Sequence, residues 1–101
     1  MDSLETSDAE AAAVQKTANR VTLDSLRAKI AAEEIVNPMF AGHVTVVIAK
    51  LENGFVLIGK SAPADPANFD AELGLKLARE DVIRQMWPLE GYALRERLAG
   101  A

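Results

Sequence analysis

The chain has 101 residues, a formal net charge of −4 and no cysteine, which fits a single domain and excludes disulfides, thiolate zinc sites and thiol nucleophiles. An acidic balance, with a pI near 4.9, argues against a footprint for a nucleic-acid polymer, because a phosphate backbone calls for a basic face. Met1 to Glu10 is polar and acidic, and no apolar run is long enough to span a bilayer, so a cytoplasmic protein with no leader and no membrane contact is expected.

Ser7-Asp8-Ala9-Glu10 reads as a capping box ahead of an alanine-rich stretch that runs to Ala18. Val14 is almost its whole apolar face, so residues 1–20 form either a mobile arm or a helix docked on a partner, and residues 21–101 form one α+β domain. Thr22 then caps a second predicted helix, Leu23 to Val36, whose Leu23, Leu26, Ile30 and Ala31 make one apolar stripe before Asn37-Pro38 stops it.

His43 to Leu51 is rich in β-branched residues and reads as a strand covered on both faces. Asn53-Gly54 signals a tight hairpin, with Phe55 to Ser61 as the return strand. A two-residue loop would pair Ala49 with Ile58 and Val47 with Lys60, putting Leu51, Val56, Ala49 and Ile58 under the helices. Met39 to Gly42 is too short for a third strand. A two-stranded ribbon is marginal alone, so an oligomer that covers an edge is expected.

Asp65-Pro66 starts a helical part. One stripe is Phe69, Leu73, Leu77, Ile83 and Trp87, and a second is Leu75, Ala78, Val82 and Met86. Pro88 is expected to break the helix and to open a last one ending at Leu98. The predicted fold is therefore α+β, with N-terminal helices, a central antiparallel β-hairpin and a C-terminal helical part.

No catalytic constellation stands out. His43 is the single histidine and has no local partner, while Glu33/Glu34 and Glu80/Asp81 read as solvated neighbours and not as acid–base pairs. No spacing suggests a metal site, and no glycine pattern suggests a phosphate loop or a resident cofactor. Aromatic and cationic residues in the C-terminal half remain: Phe55, Phe69, Trp87 and Tyr92, with Lys60, Lys76, Arg79, Arg84, Arg95 and Arg97. Rings stack on bases and guanidinium groups grip phosphate, so these suit a nucleotide, although Phe69 and Trp87 equally suit a core. Asn68 either reads a base edge or caps a helix.

Several ordered strings carry a resemblance: Leu51-Glu52-Asn53-Gly54-Phe55, Pro66-Ala67-Asn68-Phe69-Asp70-Ala71-Glu72-Leu73-Gly74, Lys76-Leu77-Ala78-Arg79-Glu80, and Trp87-Pro88-Leu89-Glu90-Gly91-Tyr92 with the residues to Leu98. Together they resemble the small accessory proteins of tailed phages and proteobacterial prophages that end in a Trp-Pro-Leu-Glu-Gly-Tyr segment. Leu75 departs from that pattern, which has an arginine after the glycine. The resemblance implies a phage product in the host cytoplasm and carries no activity by itself. The layout is also similar to the phage sponge proteins that block Thoeris defence. These are oligomers that sequester a cyclic ADP-ribose or cyclic dinucleotide signal without cleaving it. That similarity implies stacking by Phe55 and Phe69, an edge contact from Asn68, and phosphate contacts from Arg79, Arg84, Arg95 and Arg97. The competing expectation is an accessory protein that inhibits a host protein by direct docking.

Overall fold

The run of β-branched residues after His43 forms the middle strand of a sheet with one partner on each side. In the computed structural model, which describes residues 2–100, the order is α1 (Ser3–Ala13), α2 (Leu23–Ala28), β1 (Ile30–Val36), β2 (Thr45–Leu51), β3 (Val56–Ser61), a 3-10 turn (Pro66–Asn68) and α3 (Ala71–Gly100). The strands pair antiparallel in the order β1-β2-β3. The fold is α+β, with a three-stranded sheet where a two-stranded hairpin is predicted.

The third strand comes from the segment expected to complete the second helix. α2 ends at Ala28, and Ile30–Val36 lies along β2, with Glu33 opposite Ala49 and Ile35 opposite Val47. Alanine and glutamate are good helix formers, but local propensity is a small term, and pairing with the strongly β-forming Val46–Leu51 overrides it.

The hairpin register differs from the predicted one by one residue. The Leu51 amide donates to the Phe55 carbonyl at 2.8 Å and the Gly54 amide to the Leu51 carbonyl at 2.9 Å, so the loop holds three residues, Glu52, Asn53 and Gly54. Gly54 takes φ of +92°, the left-handed residue that such a loop needs. A one-residue slip exchanges the two faces of a strand. Leu57 and Gly59, and not Val56 and Ile58, therefore join Thr45, Val47, Ala49 and Leu51 beneath α3.

α3 crosses that inner face, packing on β3 and β2, with α2 against its side. The seam closes because Gly59 has no side chain: a Cβ there would lie 2.2 Å from the Ala78 carbonyl oxygen and 2.6 Å from Val82 Cγ2. Leu26, Val47, Val82 and Met86 are fully buried around it, each contributing about 1.5–3 kcal/mol of transfer free energy. α3 also seals the outer edge of β3, since Gln85 Nε2 donates to the Ile58 carbonyl at 2.8 Å and the Lys60 amide donates to Asp81 at 2.9 Å. Among the described residues no element packs over the opposite sheet face, which corrects the expectation of a strand covered on both sides. Val56 and Ile58 are half exposed there.

α3 runs through Pro88 without ending, so the predicted break is absent. Proline removes only the bond to the Arg84 carbonyl, and both residues are exposed, on the solvent side. The helix continues because both flanks are good helix formers and because Glu90 is tied to Lys29 Nζ at 3.3 Å.

At the N-terminus the cap is Asp2, whose Oδ1 accepts from the Glu5 amide at 2.8 Å; the predicted box at Ser7 lies inside α1. Leu4 enters the core, whereas Val14 is exposed. Asp8 instead ties α1 to the start of α2, its Oδ1 accepting from Arg20 Nη1 at 2.8 Å and from the Leu23 amide at 3.1 Å. The Arg20 hydrogen bond, then the Leu23 amide, hold the Asp8 carboxyl below the usual aspartate range. A depressed folded-state pKa contributes stability that is present above the unfolded value, about 4, and lost as pH falls through the lower folded value. Asp8→Asn is thus expected to lower the urea midpoint at pH 7 and to shrink the loss of stability between pH 5 and pH 3, read by denaturation at each pH.

Candidate functional site

The N-terminal ends of α1 and α3, the side of α2, the start of β1 and the middle of β2 line a half-open cavity of about 660 Å³. That volume suits a ligand of nucleotide size. Leu4, Ile30, Val47, Ala49, Leu75 and Ile83 make its apolar walls. Three cations, Arg27, Lys76 and Arg79, stand among five carboxylates, Asp2, Glu33, Asp70, Glu72 and Glu80.

Most of these carboxylates are already engaged. Asp2 caps α1, and the Glu5 amide holds its carboxyl below the usual range. Asp70 accepts from the Leu73 amide at 2.8 Å and so caps α3. Glu33 accepts from the Arg79 guanidinium, and this bond raises the pKa of Arg79 further. Glu72 is exposed.

Glu80 differs from all of them. It is 7% exposed, and its Oε2 is buried with no hydrogen-bond partner. Lys76 is half exposed and holds its Nζ 3.9 Å from that oxygen, at the limit of an ion pair. Among the described residues, Oε2 of Glu80 is thus a buried side-chain oxygen without a hydrogen-bond partner on a residue that lines the cavity.

The residues predicted from sequence do not converge on this cavity. Of the seven, Arg79 alone is in its lining. Phe55 is half exposed at the hairpin exit, its amide donating to Asn53 Oδ1 at 3.0 Å. Asn68 is exposed in the 3-10 turn that Asp65 caps, and Phe69 lies half-buried with its ring edge over Gly74. Arg84 donates to Ser3 Oγ at 2.9 Å, while Arg95 and Arg97 are exposed in the last turns of α3. Glu33 and Glu34 sit on opposite faces of a strand, one toward Arg79 and one on the open face.

Sequence reasoning passed over Glu80, although a signal for it existed. Leu73, Glu80 and Trp87 are seven residues apart, so the carboxylate interrupts an otherwise apolar helical stripe.

The family model described as "Phage protein (N4 Gp49/phage Sf6 gene 66) family" matches residues 10–98. The chain belongs to this phage protein family. That span takes in every strand, α2 and nearly all of α3, and leaves out the first turns of α1 with Asp2 and Leu4. No curated protein and no solved structure matches the chain. Among the described residues no helix is long and apolar enough to cross a membrane, and no group of histidine and carboxylate side chains is arranged to hold a metal ion.

Proposed function

We propose that this phage protein is an anti-defence protein that binds and sequesters a cyclic nucleotide signal, of the cyclic ADP-ribose or cyclic dinucleotide type, in the host cytoplasm without cleaving it. The observation that carries this reading is the unpartnered Glu80 carboxylate in a nucleotide-sized cavity with Arg27, Lys76 and Arg79 around it. The cations are about half exposed, and Arg27 and Lys76, unlike the Glu33-bound Arg79, have only ion pairs at 3.9 Å to give up before meeting phosphate. Phe55, Asn68, Phe69, Arg84, Arg95 and Arg97 lie outside the cavity of one chain, so they act on a ligand in this reading only across a homo-oligomer. Calorimetric titration with cyclic ADP-ribose and cyclic dinucleotides, followed by heat release and chromatography, tests it. Saturable binding and recovery of the intact compound are expected; no binding, or recovery of a cleaved product, contradicts it.

The open sheet face favours a second reading, inhibition of a host protein by docking. By register it presents Val36, Val46, Ile48, Val56 and Ile58 together, and Met39 and Phe40 in the loop before β2 are fully exposed as well. Exposed apolar patches of this kind mark interaction surfaces. In that case Ile58→Lys abolishes inhibition while leaving nucleotide titrations unchanged.

A further inference from the structure

We propose that the open face of the sheet is covered by a second copy of this chain, docked about a two-fold axis that runs diagonally across the strands. This gives the face a different occupant from a host protein, and it does not depend on the nucleotide reading. The strand registers set three rows of three residues on the face. Val36, Val46 and Lys60 form the first row, Glu34, Ile48 and Ile58 the second, and Ala32, Lys50 and Val56 the third. Val56 and Ile58 are half exposed, and the three charged residues are exposed. Among the described residues no ion pair engages Glu34, Lys50 or Lys60. An apolar sheet face is normally buried against a second layer, and here the placement of the charges selects that layer.

A symmetric dimer stacks the face on its own equivalent, so each axis through the central Ile48 fixes which residues meet. An axis along β2 sets Lys50 over Lys50 of the second copy, and an axis across the strands sets Glu34 over Glu34. Both oppose like charges. The diagonal from Val36 to Val56 presses Glu34 on Val46 and Lys50 on Ile58, which leaves each charge buried without a partner. The diagonal from Ala32 to Lys60 behaves differently. It brings Glu34 over Lys50 of the second copy and Lys50 over Glu34, two symmetric ion pairs that flank the stacked Ile48 side chains. Val46 then meets Ile58, and Val36 falls between Val56 and Ile58. Lys60 alone meets a like charge, at a corner of the patch, where its long stem can turn the ammonium to solvent. The strands of the two sheets cross steeply, as in orthogonal sheet packing. Of these four axes, one matches apolar with apolar and acid with base.

A face of this size falls short of the roughly 20–30 residues a side of a standard interface, so the dimer should be reversible. Sedimentation equilibrium of the full chain, from micromolar to millimolar concentration, should show monomer passing into dimer. Ile48→Lys should abolish the dimer with an unchanged circular dichroism spectrum. Glu34→Lys and Lys50→Glu should each weaken self-association by about 10-fold or more, because two attractive contacts become repulsive. Mixed in equal amounts, these two variants should pair with each other, since both contacts of the mixed dimer again join opposite charges. A chain that stays monomeric to millimolar concentration would overturn the proposal, and capture of a host protein on this face by that monomer would assign the face to the other occupant. A dimer that Ile48→Lys leaves intact would overturn the choice of face. A dimer that Ile48→Lys breaks, with no pairing in the mixture of charge variants, would overturn the diagonal axis.

Discussion

Replacing Glu80 by leucine is expected to raise the melting temperature of the unliganded protein while abolishing ligand binding. In the free protein the carboxylate is buried, its Oε2 has no donor, and its closest cation is 3.9 Å away on a half-exposed lysine. That pair also runs lysine-to-glutamate along the helix, the weaker orientation for an i,i+4 contact. Removing an uncompensated buried polar group recovers about 1–3 kcal/mol, and leucine adds apolar burial against Leu4 and Ile83. For a domain of this size each kcal/mol moves the midpoint by roughly 4–8 °C. A carboxylate kept for structure would behave oppositely, its removal lowering the midpoint. Differential scanning calorimetry of both proteins without ligand separates the two. A gain in stability with a loss of function is the trade-off expected of a group retained for binding.

Gly59→Ala is expected to be among the most damaging single-methyl changes in the chain. The added Cβ would meet the Ala78 carbonyl oxygen at 2.2 Å and the Val82 amide nitrogen at 3.0 Å. Both are backbone atoms of α3, so no rotamer change relieves them. The helix must move off the sheet and loosen the packing of Val82 and Met86, which are 1% and 0% exposed. Overpacking of this kind costs about 3 kcal/mol, a large share of the 5–15 kcal/mol typical of a whole domain. Gly42→Ala is the control, because a Cβ there meets nothing within 4 Å. Urea denaturation should show a lower midpoint for Gly59→Ala and little change for Gly42→Ala.

The same glycine explains why the hairpin was only partly legible. Asn53-Gly54 correctly marks a turn between two strands, but the dipeptide is compatible with both a two-residue and a three-residue loop. The choice is made by packing. With Gly59 inward α3 can approach closely, whereas the two-residue register would have turned Ile58 and Lys60 under the helix. β1 was hidden for a related reason, since Ile30–Val36 is extended because β2 needs a partner, a fact outside any local window. Pro88 misled in the other direction, because its cost is local and the helix on either side outweighs it. At the site, Arg79 was read as a cation for a ligand and does line the cavity, but its pairing with Glu33 joins residues far apart in the chain. Glu80 was missed by being read with Asp81 as a solvated pair. In α3 the two point apart, Asp81 accepting from the Lys60 amide and Glu80 lining the cavity.

The claim that the cavity beside Glu80 is where ligand is held can be tested most directly by amide correlation spectra recorded during titration with cyclic di-GMP. Chemical-shift changes are predicted at Leu4, Arg27, Ile30, Leu75, Glu80 and Ile83, with Val46, Val56 and Ile58 on the open sheet face left in place. Changes confined to the open face, or a spectrum that does not respond at saturating ligand, would contradict it.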